Sequence, residues 1–170
     1  VEFDSFSPVF SLNPHEKVSP ASTTKIITAL TSKDYFSMDQ VLTVDKVLDE
    51  GQVMGLKSGE KITFENLLYG LLVHSGNDAA YAIADNFDGG VENFVKKMNE
   101  KASFLKMNNS QFKNPAGLDD FGQYTTAFDL SLAARAFLSQ SGLSKFVSVK
   151  RITVSDNDFK IFHELTNINK

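Results

Sequence analysis

A serine and a lysine stand three positions apart, as Ser22 and Lys25, in the stretch SPASTTKIITAL. Residues three apart lie on the same face of a helix, so the lysine amine can reach the serine hydroxyl. A serine hydroxyl is a poor nucleophile until a base takes its proton, and a lysine can be that base only when it is neutral. Burial and the positive end of a helix both lower the pKa of a lysine. The pair therefore predicts nucleophilic catalysis by Ser22, with Lys25 as the general base.

A second helix start in the chain shows how unusual this lysine is. Thr126 precedes a helical segment that has Asp129 at its third position, where an acid suits the positive end of the helix. Lys25 holds the matching position after Ser22, which costs about 0.3–1 kcal/mol. Such departures concentrate at functional sites, although an ordinary helix cap with Lys25 extended into water is the alternative. Spacing alone is not decisive, since S-x-x-K also occurs at Ser58, Ser103 and Ser110.

Polar residues interrupt the most apolar part of the chain at Ser75, Gly76, Asn77 and Asp78, within LLVHSGNDAAYAIA. One interpretation is a turn in which Gly76 ends one helix and Asn77 or Asp78 caps the next. The functional interpretation places the Ser75 hydroxyl and the Asn77 amide in a cleft, where they relay a proton and hold a substrate amide. Both interpretations place the four residues between two helices.

The elements that must position these residues follow from periodicity and turn signals. Helices are predicted over residues 22–35, over 64–87 as a pair that meets near 75–77, over 89–107 and over 125–142. Strands are predicted over 8–14 and 40–45 and as a pair within 151–162, and residues 48–63 are predicted to be an irregular loop. An order of strand, helices and strands predicts an α+β fold.

The composition excludes several classes of function. The chain has 170 residues, of which 42% are hydrophobic and 22% charged, with a net charge of −4, which is typical of a globular domain. It has no cysteine, which excludes disulfides, thiolate metal sites and cysteine catalysis. It has no run of Lys and Arg that indicates nucleic-acid binding, and no apolar run near the roughly 20 residues that cross a membrane. The three histidines, His15, His74 and His163, share no ligand spacing, so no metal or cofactor is expected.

Taken together, the motifs resemble those of the penicillin-binding, active-site-serine enzymes, and among them the low-molecular-mass D-alanyl-D-alanine carboxypeptidases. The resemblance runs in order through PASTTKIITAL, MGLKSGEKITFENLLYGLLVHSGNDAAYAIA, FVKKMNEKASFLKMNNSQFKNPAGLDD and YTTAFDLSLAARA. It implies that Ser22 is the acylated nucleophile, that Lys25 is its general base, and that Ser75 and Asn77 form the second motif, S-x-N. A further match, interpreted as structural, covers Phe112, Asn114, Gly117 and Leu118.

The resemblance also implies a fold and an activity. The fold would be the α+β transpeptidase fold of penicillin-binding proteins and β-lactamases, with a helical cluster packed on an antiparallel sheet. The activity would be removal of the terminal D-alanine from peptidoglycan stem peptides, and β-lactams would acylate the same serine. No cofactor and no nucleic acid are implied. The site of action would be extracytoplasmic, reached by a signal peptide that this chain does not contain, and membrane association would need segments outside this chain.

Two other functions are considered on the same scaffold. A β-lactamase-like hydrolase would need a glutamate for deacylation, and none lies in a matching context between Asn114 and Lys170. The SDN triplet at 155–157 spells a β-lactamase motif, but a polar turn between two strands explains it. The other alternative is a non-catalytic fragment or relative that binds cell wall or a partner protein.

That last alternative rests on the third motif of these enzymes, Lys-Thr-Gly on a strand lining the cleft, which does not occur in the sequence. In the family it follows shortly after a segment like TNINK, on which this chain ends. The expectation is one partial domain over residues 1–170, whose sheet lacks several strands and whose cleft lacks one wall. Because losing one oxyanion donor costs about 10²–10³ in rate, these residues alone are expected to turn over substrate slowly.

Overall fold

The computed structural model describes residues 1–168, so the end of the TNINK segment lies outside the described residues. The elements are, in chain order, α1 (Thr24–Ser32), β1 (Val41–Thr43), β2 (Lys61–Thr63), α2 (Phe64–Leu72), α3 (Asn77–Asp85), α4 (Gly90–Phe104), α5 (Ala127–Ser139), α6 (Ser144–Val147), β3 (Arg151–Ser155) and β4 (Phe162–Thr166). A 3₁₀ turn, Ala21–Thr23, leads directly into α1. The predicted α+β class is confirmed.

The strands form two separate antiparallel pairs. β1 pairs with β2 across the long segment 44–60, with Leu42 opposite Ile62. β3 pairs with β4, with Arg151 opposite Thr166 and Ser155 opposite Phe162. The SDN triplet begins at Ser155, the last residue of β3, and the Asp156 carboxylate accepts hydrogen bonds from two backbone N–H groups of the turn that follows. The predicted polar turn between two strands is therefore confirmed, but the second strand, predicted to end at Phe162, begins there and runs to Thr166.

The first helix is the centre of the helical cluster. α1 packs against α2, α3, α4 and α5, and eight of its nine residues are buried. Its start therefore lies inside the protein, where a charged side chain loses most of its hydration. The start of α1 is therefore buried at Thr24 and Lys25, whereas Ser22 in the preceding turn is exposed.

Local sequence signals set the ends of several helices. The Thr63 hydroxyl accepts a hydrogen bond from the backbone N–H of Asn66 at the start of α2. The Thr126 hydroxyl accepts one from the backbone N–H of Asp129 at the start of α5, as predicted. The Asp129 carboxylate does not complete a capping box, because it accepts hydrogen bonds from the backbone N–H of Asn109 and from the Ser110 hydroxyl.

The strand predicted over residues 8–14 is wrong. Val9 and Phe10 are each about 80% exposed, at 80% and 81%, and the segment pairs with no strand among residues 1–168. A strand needs a partner for its backbone hydrogen bonds, and strand-like composition does not supply one. The irregular loop predicted over residues 48–63 is wrong at its end, because Lys61–Thr63 pair with β1 and form β2. The one-turn helix α6 was not predicted, because it is too short to show a period. None of the helices formed by residues 1–168 has the length and hydrophobicity to span a membrane.

Candidate active site

Ser22 lies in the 3₁₀ turn that precedes α1, with its side chain at the surface, and is not the helix cap that the sequence allowed. Thr23 is the residue before α1, and its side chain makes no capping hydrogen bond to the helix. The turn is strained at Ala21, whose φ of 45° is left-handed and rare for a residue with a side chain. Lys25 is the second residue of α1 and is only 3% exposed. The structure therefore brings Ser22 and the buried Lys25 together, as the spacing predicts.

The Lys25 amine has three polar neighbours. Its Nζ lies 2.7 Å from the Asn77 side-chain oxygen, 2.8 Å from the Ala116 backbone oxygen and 3.3 Å from the Ser22 Oγ. The first two atoms can only accept hydrogen bonds, and a neutral amine has two N–H groups to give them. In the neutral form, these two bonds leave the lone pair for the Ser22 hydroxyl, whereas in the charged form the third N–H donates to the Ser22 Oγ. The geometry therefore suits an amine that accepts the serine proton.

Burial favours the neutral form of this amine. It lowers the pKa of Lys25 from 10.5 to about 8, against the opposing effect of the Asp78 carboxylate, which favours the charged form. Burial of the amine therefore raises the neutral fraction that the sequence argument requires.

Asn77 is oriented by the segment that precedes β2. Its side-chain N–H₂ donates to the Glu50 backbone oxygen at 2.8 Å, which turns the amide oxygen toward Lys25. Its backbone N–H donates to the Gln52 oxygen at 2.7 Å. Asn77 is the first residue of α3, and Gly76 is the residue before that helix. The predicted meeting of two helices at this point is confirmed.

Ser75 lies between α2 and α3 with a left-handed φ of 59° and is 7% exposed. It lines the same cleft as Ser22 and Lys25. Within the described part of the chain, no hydrogen bond joins its hydroxyl to either residue. The structure therefore places Ser75 at the cleft, and its role as a proton relay stays a prediction.

Asp78 has a larger role than the helix cap considered from the sequence. Its carboxylate accepts hydrogen bonds from the backbone N–H groups of Met54, Gly55 and Leu56 at 2.9, 2.9 and 3.1 Å. It accepts a fourth from the next residue of its own helix. The carboxylate thereby fastens the segment before β2 to the start of α3. The sequence contained no periodic or spacing signal for these long-range contacts.

The loop after Asn114 supplies the other acceptor for Lys25. The Asn114 side-chain oxygen accepts hydrogen bonds from the backbone N–H groups of Ala116, Gly117 and Leu118. This loop presents the Ala116 carbonyl to Lys25. The sequence interpretation of Asn114 and Gly117 was structural. It missed the contact from Ala116, because any residue type can provide a backbone carbonyl.

The cleft beside Ser22 is small and partly open, with a volume of about 280 Å³. Its polar part is formed by Ser22, Thr23, Lys25 and Ser75. The rest of its lining is apolar and consists of Ile26, Leu71, Leu72, Val147 and Ile168. Polar side chains therefore stand beside an aliphatic surface.

The histidines take no part in this arrangement. His74 contacts the Gln52 side chain at 2.7 Å and the Thr166 carbonyl at 3.3 Å, so it does not pair with Ser75. His163 lies in β4 against Glu60. In the described residues, no three His, Asp or Glu side chains are grouped to hold a metal ion.

This fold is that of the penicillin-binding proteins. A D-alanyl-D-alanine carboxypeptidase from Mycobacterium tuberculosis H37Rv superposes with a TM-score of 0.90 at 29% identity, covering 98% of this chain and 64% of that one. Penicillin-binding protein 6B from Escherichia coli superposes with a TM-score of 0.82 at 31% identity, covering 94% of this chain and 53% of that one.

The chain belongs to the D-alanyl-D-alanine carboxypeptidase family, peptidase family S11, whose sequence profile matches residues 2–169. The carboxypeptidase DacF of Bacillus subtilis is 34% identical over 177 residues, which cover 100% of this chain and 45% of DacF. The carboxypeptidase DacD of E. coli K12 is 34% identical over 139 residues, covering 74% of this chain and 36% of DacD. The chain thus spans less than half the length of these two relatives.

Proposed function

We propose that the protein is a serine-type D-Ala-D-Ala carboxypeptidase that works through an acyl-enzyme on Ser22. The observation that carries the proposal is the buried Lys25 amine, which the Asn77 side-chain oxygen and the Ala116 carbonyl hold 3.3 Å from the Ser22 Oγ. Membership of the carboxypeptidase family supports the choice of substrate. The substrate would be a peptidoglycan stem peptide ending in D-Ala-D-Ala, and β-lactams would react with the same serine.

The reaction would proceed in two steps. Lys25 takes the Ser22 proton while the Ser22 Oγ attacks the carbonyl of the penultimate D-alanine, and the backbone N–H of Ser22 is a candidate donor to the oxyanion. The C–N bond then breaks, and the departing D-alanine takes a proton from Lys25, alone or with Ser75. Asn77 orients the substrate. Water then hydrolyses the ester and restores the serine.

The wider setting is part of the same proposal. A protein that acts on peptidoglycan works outside the cytoplasm, in the periplasm or the cell-wall space. Residues 1–170 would form one partial transpeptidase-like domain, with the cleft beside Ser22 at the start of α1. Membership of a family of cell-wall peptidases supports this location.

A fluorescent penicillin tests the proposal on the full-length protein. The wild type should be labelled covalently, and peptide mass mapping should place the label on Ser22. Ser22→Ala should abolish labelling, whereas Ser19→Ala, a nearby serine whose hydroxyl hydrogen-bonds Asp119, should retain it. An unlabelled wild type, or a labelled Ser22→Ala protein, rejects the proposal. Release of the label within seconds would favour the β-lactamase-like alternative.

The rate of labelling should depend on pH through Lys25. The amine acts as a base only when neutral, and its pKa is about 8, so acylation should accelerate as pH rises and level off above pH 8. Below the midpoint the rate should fall about tenfold per pH unit. Stopped-flow labelling between pH 6 and 9.5, at penicillin concentrations well below saturation, measures this profile. A rate that does not change across this range contradicts a neutral lysine base.

A further inference from the structure

A buried Glu–His pair lies outside the lining of the cleft that contains Ser22, Lys25 and Ser75. Glu60 and His163 are each 4% exposed, and the His163 Nε2 lies 2.7 Å from a Glu60 carboxyl oxygen. The other ring nitrogen, Nδ1, lies 3.2 Å from the Met54 backbone oxygen. Glu60 directly precedes β2 and His163 lies in β4, so the pair joins two elements that belong to different strand pairs.

Every polar atom of the pair has a partner. The Met54 oxygen can only accept, so the His163 Nδ1 carries a hydrogen. One proton lies between the His163 Nε2 and Glu60, and the second Glu60 oxygen accepts a hydrogen bond from the backbone N–H of Lys57 at 2.9 Å. These contacts fix the plane of the imidazole ring and direct its Nδ1–H at Met54.

Met54 connects the pair to the candidate active site. Its carbonyl accepts from His163, and its backbone N–H donates to the Asp78 carboxylate at 2.9 Å. Residues 50–56, here called the support segment, make four further hydrogen bonds to Asn77 and Asp78. One of these turns the Asn77 amide oxygen toward the Lys25 amine.

The support segment has no helix or strand of its own. Gly51 and Gly55 adopt left-handed φ values of 68° and 88°, so its path is irregular. An irregular segment is positioned by its tethers, because it lacks the repeating hydrogen bonds of a regular element. On one side the tethers are Asn77 and Asp78, and on the other the tether is the buried pair.

We propose that Glu60 and His163 are positioning residues that hold the support segment and, through it, the Asn77 amide against Lys25. The proposal rests on the proposed function for its effect on acylation, but the tethering itself does not require substrate. Neither residue lines the cleft, so neither is a catalytic residue. Displacing a positioning group by a fraction of an ångström to about 1 Å slows a reaction up to about 10²-fold.

Two substitutions at Glu60 distinguish the effect of its hydrogen bonds from the effect of its side-chain volume. In Glu60→Gln, the side-chain N–H₂ can donate to the His163 Nε2 while the oxygen accepts from the Lys57 N–H, so every hydrogen bond is kept. Glu60→Met has similar length but offers neither bond. We expect the limiting acylation rate to stay within about twofold in Glu60→Gln and to fall about tenfold in Glu60→Met, measured with fluorescent penicillin on the folded full-length protein.

Two substitutions at His163 distinguish the contribution of its Nδ1 contact from that of its Nε2 contact. Asparagine places an N–H₂ near the position of Nδ1 and can still donate to the Met54 carbonyl. Glutamine reaches the position of Nε2 and contacts Glu60 only. Because the tether to Met54 is the one that positions the support segment, we expect His163→Asn to acylate faster than His163→Gln.

Hydrogen exchange of the unlabelled protein tests the tethering without any reaction. Glu60→Met and His163→Gln should raise the exchange rate of the backbone N–H groups of the support segment and of Asn77, and Glu60→Gln should not. Equal exchange and equal acylation rates in Glu60→Gln and Glu60→Met overturn the proposal. If the variants differ in exchange as expected but the wild type takes no label, the proposed function is rejected and the tethering proposal stands.

Discussion

Replacing Lys25 with methionine is expected to slow acylation of Ser22 by about 10²–10⁴-fold, the usual effect of removing a general base. Methionine has nearly the length of lysine and fills the same space, but it cannot take a proton. The Lys25 Nζ is 3.3 Å from the Ser22 Oγ, and within the described residues it is the amine held beside that hydroxyl. The second-order rate of labelling by a fluorescent penicillin measures the effect.

The Lys25→Met variant must also be checked for folding. It leaves the Asn77 side-chain oxygen and the Ala116 carbonyl without the donor they share, at about 1–3 kcal/mol for each buried acceptor. It also removes a buried amine, which offsets part of this loss. Lys33→Met, at the opposite end of α1, is the matched control and should label at the wild-type rate. Labelling of folded Lys25→Met within tenfold of wild type would exclude Lys25 as the base.

Replacing Gly117 with alanine is expected to destabilise the protein by about 2–4 kcal/mol and to slow labelling at least tenfold. A Cβ at this position would lie 1.8 Å from the Ala21 backbone oxygen and 2.9 Å from the Thr24 Oγ1. The φ of Gly117 is +85°, which disfavours alanine even without the contact. The Ala21 backbone must therefore move, and Ala21 immediately precedes Ser22 in the same turn. Thermal or denaturant unfolding and the labelling rate measure the two effects.

Gly142→Ala is the control for Gly117→Ala. Gly142 has nearly the same φ, +88°, and a Cβ there would meet no atom within 4 Å. It should lose only the backbone contribution, about 1 kcal/mol, and should label normally. If the two variants lose equal stability, the close approach of Gly117 to Ala21 does not hold the turn.

Several features of this protein could be predicted from local sequence alone. The Ser22–Lys25 spacing is local, because a helix places residues three apart on one face. The helices at 24–32, 64–72, 77–85, 90–104 and 127–139 were also predictable, because their apolar residues recur at helical intervals. The order of the motifs was enough to indicate the family, which the sequence profile over residues 2–169 confirmed.

Other features depend on partners far along the chain. The strand predicted over residues 8–14 did not form, because local composition does not provide a neighbouring strand. The acceptors of the Lys25 amine lie 52 and 91 residues away, and one of them is the backbone carbonyl of Ala116, which any residue type could supply. The Glu60–His163 contact spans 103 residues, and neither residue stood out by spacing.

The sequence by itself therefore determined the class of the fold, most of the helices and the serine and lysine of the candidate site. The pKa of that lysine and the position of its amine depend on the tertiary structure. Burial lowers the pKa of Lys25 to about 8, and the Ala116 carbonyl and the Asn77 amide, which Glu50 orients, hold the amine beside Ser22. Desolvation and long-range hydrogen bonding depend on which segments pack together, and neither is encoded in residue spacing along one helix.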